Sequence, residues 1–153
     1  MSKSSIAFLI LSFLLALLAF SVCGNLFTQE DKRLETWTSN LKNEKILIRK
    51  SSARYLGVLG DKGAISYLLA ALHDPEPEVR AEVCAALGLL GEEYVKEPLT
   101  NVLYRDQSPM VRNSAKVAID KIDTYLGLQK EKKLKEMKDK VKGSAPTPVQ
   151  TQQ

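Results

Sequence analysis

The chain has 153 residues, enough for one modest domain and not two. Charged residues make up 26% and hydrophobic residues 44%, an ordinary globular balance that excludes a low-complexity chain. The net charge of +4 does not license a nucleic-acid reading, because residues 129–142 hold seven lysines against three acids and the remainder balances at 15 basic and 15 acidic.

Two cysteines, Cys23 and Cys84, are too few for a disulfide scaffold. The first belongs to a leader. Lys3 supplies a short positive n-region, and Ile6 to Val22 is uncharged and apolar apart from Ser12 and Ser21. That run is short for a spanning helix, which needs about 20 residues, and long for a signal core of about 7–15. Ala19-Phe20-Ser21 offers small residues around a cleavage site after Ser21, and Cys23-Gly24-Asn25 follows at once. A lone cysteine there resembles a bacterial lipoprotein signal, and the resemblance implies that Cys23 receives lipid and becomes the new N-terminus. Val22 and Phe20 depart from the usual lipobox, which has a small residue and leucine at those places. Secretion after Ser21 and retention as an uncleaved anchor stay open. The expectation is a signal peptide or membrane anchor over 1–22, a linker over 23–28, and export to the envelope of a bacterium, anchored as a lipoprotein ahead of freely secreted or periplasmic.

From Gln29 to Leu41 the apolar residues Leu34, Trp37 and Leu41 fall three and four apart, which predicts an amphipathic helix over 29–42. Trp37 and Leu41 recur 31 residues later as Leu68 and Leu72, and again as Leu99 and Leu103. Two further helices of this second type are predicted, over 63–73 and 93–104.

A different stretch alternates with them. Ile48–Gly60, Val79–Gly91 and Val111–Ile119 match one another at offsets of 31 and 32 residues, predicting first-type helices over 46–59, 77–90 and 109–126. Gly60 and Gly91 stand where a left-handed cap ends a helix. Gly57 and Gly88 lie one turn earlier, where glycine costs a helix about 1 kcal/mol against alanine. Their recurrence predicts close approach of a neighbouring helix. Asp120 takes their place in the third copy, and that helix is expected to run on.

The junctions share one spacing: Asn43 before Arg49, Asp74 before Arg80 and Asp106 before Arg112. A short polar side chain ahead of a helix accepts bonds from free backbone N–H groups. The arginine one turn inside is within reach of the aspartate of its own or an adjacent unit, which predicts a structural ladder in preference to an anion-binding stripe. Pro75, Pro77 and Pro109 start the helices that follow.

Asp-x5-Arg, then Ala-x2-Leu-Gly-x-Leu-Gly, at a 31-residue period resembles HEAT repeats of the short type first named from phycobilisome lyases. The resemblance covers about residues 29–126. It implies an all-α fold, a short right-handed α-solenoid of two and a half to three helix pairs occupying 29–128, and a role in binding another protein. Cys84 then sits at a small inward position as a packing thiol, with no cation expected close enough to lower its pKa. Trp37 is expected in the core, like Leu68 and Leu99. A separate charged helix is expected over 129–142, with Leu134, Met137 and Val141 as a thin stripe, and a disordered tail over 143–153.

No catalytic constellation accompanies this pattern. His73 is the one histidine and reads as a surface residue. No CxxC, HExxH, phosphate-cradling glycine loop or nucleophile elbow appears, so no catalytic, cofactor-binding or metal-ligating residue is assigned and no cofactor is expected. The expected function is a non-catalytic scaffold for another protein, attached to the membrane through its N-terminal segment, with no nucleic-acid partner. Open solenoid edges also allow self-association. An accessory or lyase-like subunit binding a small molecule, and a structural protein of the cell envelope, are the alternatives.

Overall fold

The computed structural model describes residues 32–143. The leader with Cys23, the linker and the tail from 144 onward lie outside the described residues, and with them the expectations of export, lipidation and terminal disorder. Among the described residues there are six α-helices and no strand: α1 (32–40), α2 (Ile46–Leu59), α3 (Ile65–Ala71), α4 (Pro77–Leu90), α5 (Lys96–Arg105) and α6 (Pro109–Gly143). None of them is long and apolar enough to cross a membrane.

The first-type helices stack side by side, α2 on α4 and α4 on α6, while α3 packs on α4 and α5 on α6. This is a helical-repeat solenoid whose core is one continuous seam. Leu56, Leu68, Val79, Val83, Leu87, Leu99, Val111, Ala115 and Ile122 are all fully buried in it. The first-type helices approach closely because each carries a glycine where the next offers an alanine. A Cβ on Gly57 would stand 2.7 Å from the Ala86 Cα, and one on Gly88 2.8 Å from the Ala118 Cα. Gly60 and Gly91 end α2 and α4 with φ of 73° and 70°, a left-handed geometry that a side chain disfavours.

Helices α2 and α4 run over the predicted 46–59 and 77–90. The other elements differ in instructive ways. Helix α1 ends at residue 40, and Leu41 is buried from the turn that follows. The second-type helices α3 and α5 begin with 3-10 turns at Lys62–Ala64 and Glu93–Val95. Asp61 starts the former by accepting the Gly63 N–H at 2.8 Å.

Trp37 is only partly buried, unlike its counterparts Leu68 and Leu99. It stacks on Tyr55 with ring centroids 4.4 Å apart, and Arg33 lies 5.6 Å from the same ring. No further unit covers this end of the described array, so the aromatic pair closes it.

The largest difference is α6. A boundary at 128 separates the array from a charged helix in the sequence reading, whereas the structure has one 35-residue helix. At about 1.5 Å per residue it extends about 52 Å, against about 21 Å for α2 and α4. Gly127 does not break it because it keeps a helical backbone; the only positive-φ glycines among the described residues are Gly60 and Gly91. Gly127 through Val141 are exposed on every side. That stretch is held by residues of good helix propensity and by Glu–Lys spacing, not by packing.

Candidate interaction surfaces and the arginine–aspartate ladder

The junction residues form a ladder that runs one way along the array. Each arginine divides its guanidinium between two units. Arg49 donates from Nη1 to the Asn43 and Glu44 carbonyls at 2.9 and 3.1 Å, and from Nε and Nη2 to the Asp74 carboxylate at 2.6 and 2.9 Å. Arg80 repeats this one unit on, with Nη1 on the Asp74 and Pro75 carbonyls at 2.7 and 3.0 Å and its fork on Asp106 at 2.8 and 3.0 Å. The carboxylates also shape their own loops. Asp74 accepts the Glu76 N–H and Asp106 the Ser108 N–H, as Asn43 accepts that of Lys45.

These are bidentate pairs withdrawn from water. Side-chain exposure is 11% and 6% for Arg49 and Asp74, and 15% and 9% for Arg80 and Asp106. The hydrogen bond to Arg80 holds the Asp106 carboxyl below the usual carboxylate range, against the opposing effect of burial. Both arginine pKa values are raised by the same bonds. The two ends of the ladder differ from its middle. Asn43, an amide, occupies the first rung, and among the described residues no arginine donates to its side chain. Arg112 occupies the last, with Nη1 on the Asp106 and Gln107 carbonyls at 2.9 and 3.0 Å. Among the described residues its Nε and Nη2 meet no acceptor.

Pairs that the sequence spacing does not announce reinforce the stack. Lys50 reaches Glu78 at 2.8 Å, Arg54 reaches Glu82 bidentately at 2.8 and 3.0 Å, Lys96 reaches Asp123 at 2.5 Å, and Lys62 reaches Glu92. The separations of 27 to 30 residues, just short of the repeat, are the signal that would have revealed them.

Cys84 is fully buried, and burial pushes its thiol up to about 12. A cation does lie one turn away, contrary to the sequence reading: Arg80 lowers the thiol pKa. Its effect is outweighed by burial and by Asp106, to which the Arg80 fork is committed. The thiol is a packing group and not a nucleophile.

The second-type helices present a different surface. A cavity of about 490 Å³ lies between α1 and α3, lined by Thr38, Leu41, Lys42, Tyr67, Ala70 and His73 among others. A second, of about 260 Å³, lies between α3 and α5 against Leu69, Leu72, Pro98, Asn101 and Val102. His73 lines both, so this exposed imidazole stands on the ridge between them. Alignment places His73 beside Lys42 and Tyr104 but does not show that it divides two hollows. Among the described residues no group of three or more His, Cys, Asp or Glu side chains is placed to hold a metal ion.

Comparison with known proteins agrees with this architecture. Human deoxyhypusine hydroxylase, solved in complex with glycerol, superposes with a TM-score of 0.60 at 26% identity, covering 63% of this chain and 34% of that one. The chain thus spans about a third of that structure. No curated protein matches at the sequence level. The family model for HEAT repeats matches residues 34–120, more than half of the sequence. The chain belongs to the HEAT-repeat family.

Proposed function

We propose that this chain is an exported, lipid-anchored and non-catalytic scaffold that holds another protein at the envelope of a bacterium. HEAT repeats as a family serve protein–protein interaction, and the single observation that carries the reading is the second-type helix face. There α1, α3 and α5 frame two adjoining hollows, Tyr67 lining the first and His73 both, a small surface at the low end of interface size. The ladder residues are committed to architecture. The anchor rests on the leader alone: an uncharged run followed directly by Cys23.

Two experiments test the halves separately. A photo-crosslinking residue at Tyr67 is expected to give a discrete adduct in cells, while the same residue at Val58, exposed on α2, gives none. No adduct from Tyr67, or equal adducts from both, would sink the scaffold reading. Labelling with radioactive palmitate is expected to mark the native chain and not Cys23→Ser; an unlabelled native chain removes the anchor.

A second reading draws on the cavity between α1 and α3, whose volume suits a small molecule. An accessory or lyase-like subunit would then show a ligand-dependent rise in melting temperature with a bilin chromophore. A structural envelope role predicts instead that truncation at Leu128 abolishes envelope association without altering the helical melt.

A further inference from the structure

The ladder stops on an unfilled rung. Arg112 is fixed by the same two Nη1 bonds that fix Arg49 and Arg80, at 2.9 and 3.0 Å, so its remaining edge points where the next unit's aspartate would stand. In the two internal rungs that edge holds a carboxylate bidentately. Here it is preorganised, half-buried and without an acceptor among the described residues.

A second copy stacked end to end fits poorly, since its first rung is the amide Asn43 and its outer helix face carries Tyr55 where Ala86 and Ala118 make the internal seats. Helix α6 as a whole has ten basic residues against five acidic.

We propose that the C-terminal edge of the array docks an acidic helical segment of a different protein, whose carboxylate enters the Arg112 fork. This rests on the scaffold reading and names one partner's chemistry.

The probe is a synthetic peptide of residues 63–90, the helix pair that covers Arg49 in the array. It carries Ala86→Gly because Asp120 fills the seat that glycine leaves open elsewhere. It has four acids against one arginine. Fluorescence anisotropy with the full chain, carrying Cys23→Ser and under reductant, is expected to show salt-sensitive binding. Arg112→Gln in the chain, or Asp74→Asn in the peptide, weakens it at least tenfold, and the two together weaken it no further than either alone. Circular dichroism melts of Arg112→Gln stay within a few degrees of the parent. Absence of binding, affinities within twofold for either variant, or additive losses overturn the proposal. So does Arg112-dependent sedimentation with phosphatidylserine vesicles, which would assign the fork to lipid phosphate, or self-association that Arg112→Gln abolishes. Persistence of the Tyr67 cross-link in Arg112→Gln leaves the scaffold reading standing whatever the fate of the edge.

Discussion

Gly88 lies so close to Ala118 that a Cβ added to it would stand 2.8 Å from the Ala118 Cα and from its Cβ. The obstacle is partly backbone, so a rotamer change does not relieve it, and α4 and α6 must separate. Gly88→Ala is therefore expected to destabilise the fold by about 2–3 kcal/mol, although alanine is the better helix former. Gly127 is the control within the same protein. Nothing lies within 4 Å of its added Cβ, and Gly127→Ala is expected to raise helix content and stabilise by up to about 1 kcal/mol. Urea denaturation and far-ultraviolet circular dichroism of the two variants read both signs. Equal signs would mean that the glycines serve flexibility and not approach.

The contrast bears on what the sequence made legible. Helices α2 and α4 came through to the residue because each has a proline or polar entry and a glycine exit, and because the two copies corroborate each other. Recurrence of Gly57 at Gly88 marked the close crossing even though neither glycine alone would have done so. The ends were less legible for a physical reason: a terminal unit has one neighbour, so repetition does not constrain it. Trp37 matches Leu68 and Leu99 by register but has no covering helix among the described residues. Gly127 resembles a stop, yet a glycine caps a helix only where it turns to positive φ, as Gly60 and Gly91 do, and Gly127 keeps the helical backbone. The ladder's partners were in the spacing, but its direction was not. Only geometry distinguishes an arginine reaching its own aspartate from one reaching the next.

Asp106 gives that ladder an acid signature. Its folded pKa is depressed by Arg80, so its stabilising contribution is present above the unfolded value of about 3.9 and is lost as pH falls through the folded value. Glu78, lowered by Lys50, adds to the same window. At neutral pH, Arg80→Gln is expected to cost about 1–2 kcal/mol, between the ranges for exposed and buried pairs. The gap between parent and variant narrows as pH falls from about 4 towards 2. Urea midpoints at pH 7 and pH 2.5 measure this; a gap that does not narrow would show that Arg80 acts through the Asp74 and Pro75 carbonyls alone.

Cys84 acts at the other end of the pH scale. The folded thiol titrates at about 12, well above its ordinary value of about 9, so the folded state holds a proton that the unfolded state has released. Stability from this group is complete below about pH 9 and declines by about 1.4 kcal/mol per pH unit as pH rises from there towards the folded pKa. The raised pKa values of Lys62 and Lys96 add a loss that begins later, above the ordinary lysine value. Cys84→Ala is expected to lower stability at pH 7 and to flatten the slope between pH 9 and 10. An unchanged slope would mean that the thiolate is accommodated in the fold.

The two ends of the array are closed by the residues that break its pattern. Internal seats pair Gly57 with Ala86 and Gly88 with Ala118; the outer positions in the same register are Tyr55 at one end and Asp120 at the other. A copy stacking end to end would set an aromatic ring against a carboxylate where the fold needs the smallest residues it has. The rung beside that seat would join Arg112 to the amide of Asn43 in place of a carboxylate. Heterologous stacking of this kind does not close on itself and leads to filaments, and these residues are expected to oppose it. Tyr55→Ala with Asp120→Gly opens the seat, and adding Asn43→Asp completes the rung. Sedimentation velocity at rising concentration is expected to show the parent as a single small species and concentration-dependent association in the double variant. The triple variant is expected to associate at least tenfold more tightly, as a charge-assisted bidentate pair adds roughly 1.5–3 kcal/mol. If the triple variant sediments like the parent, the ends are kept apart by something other than these three side chains.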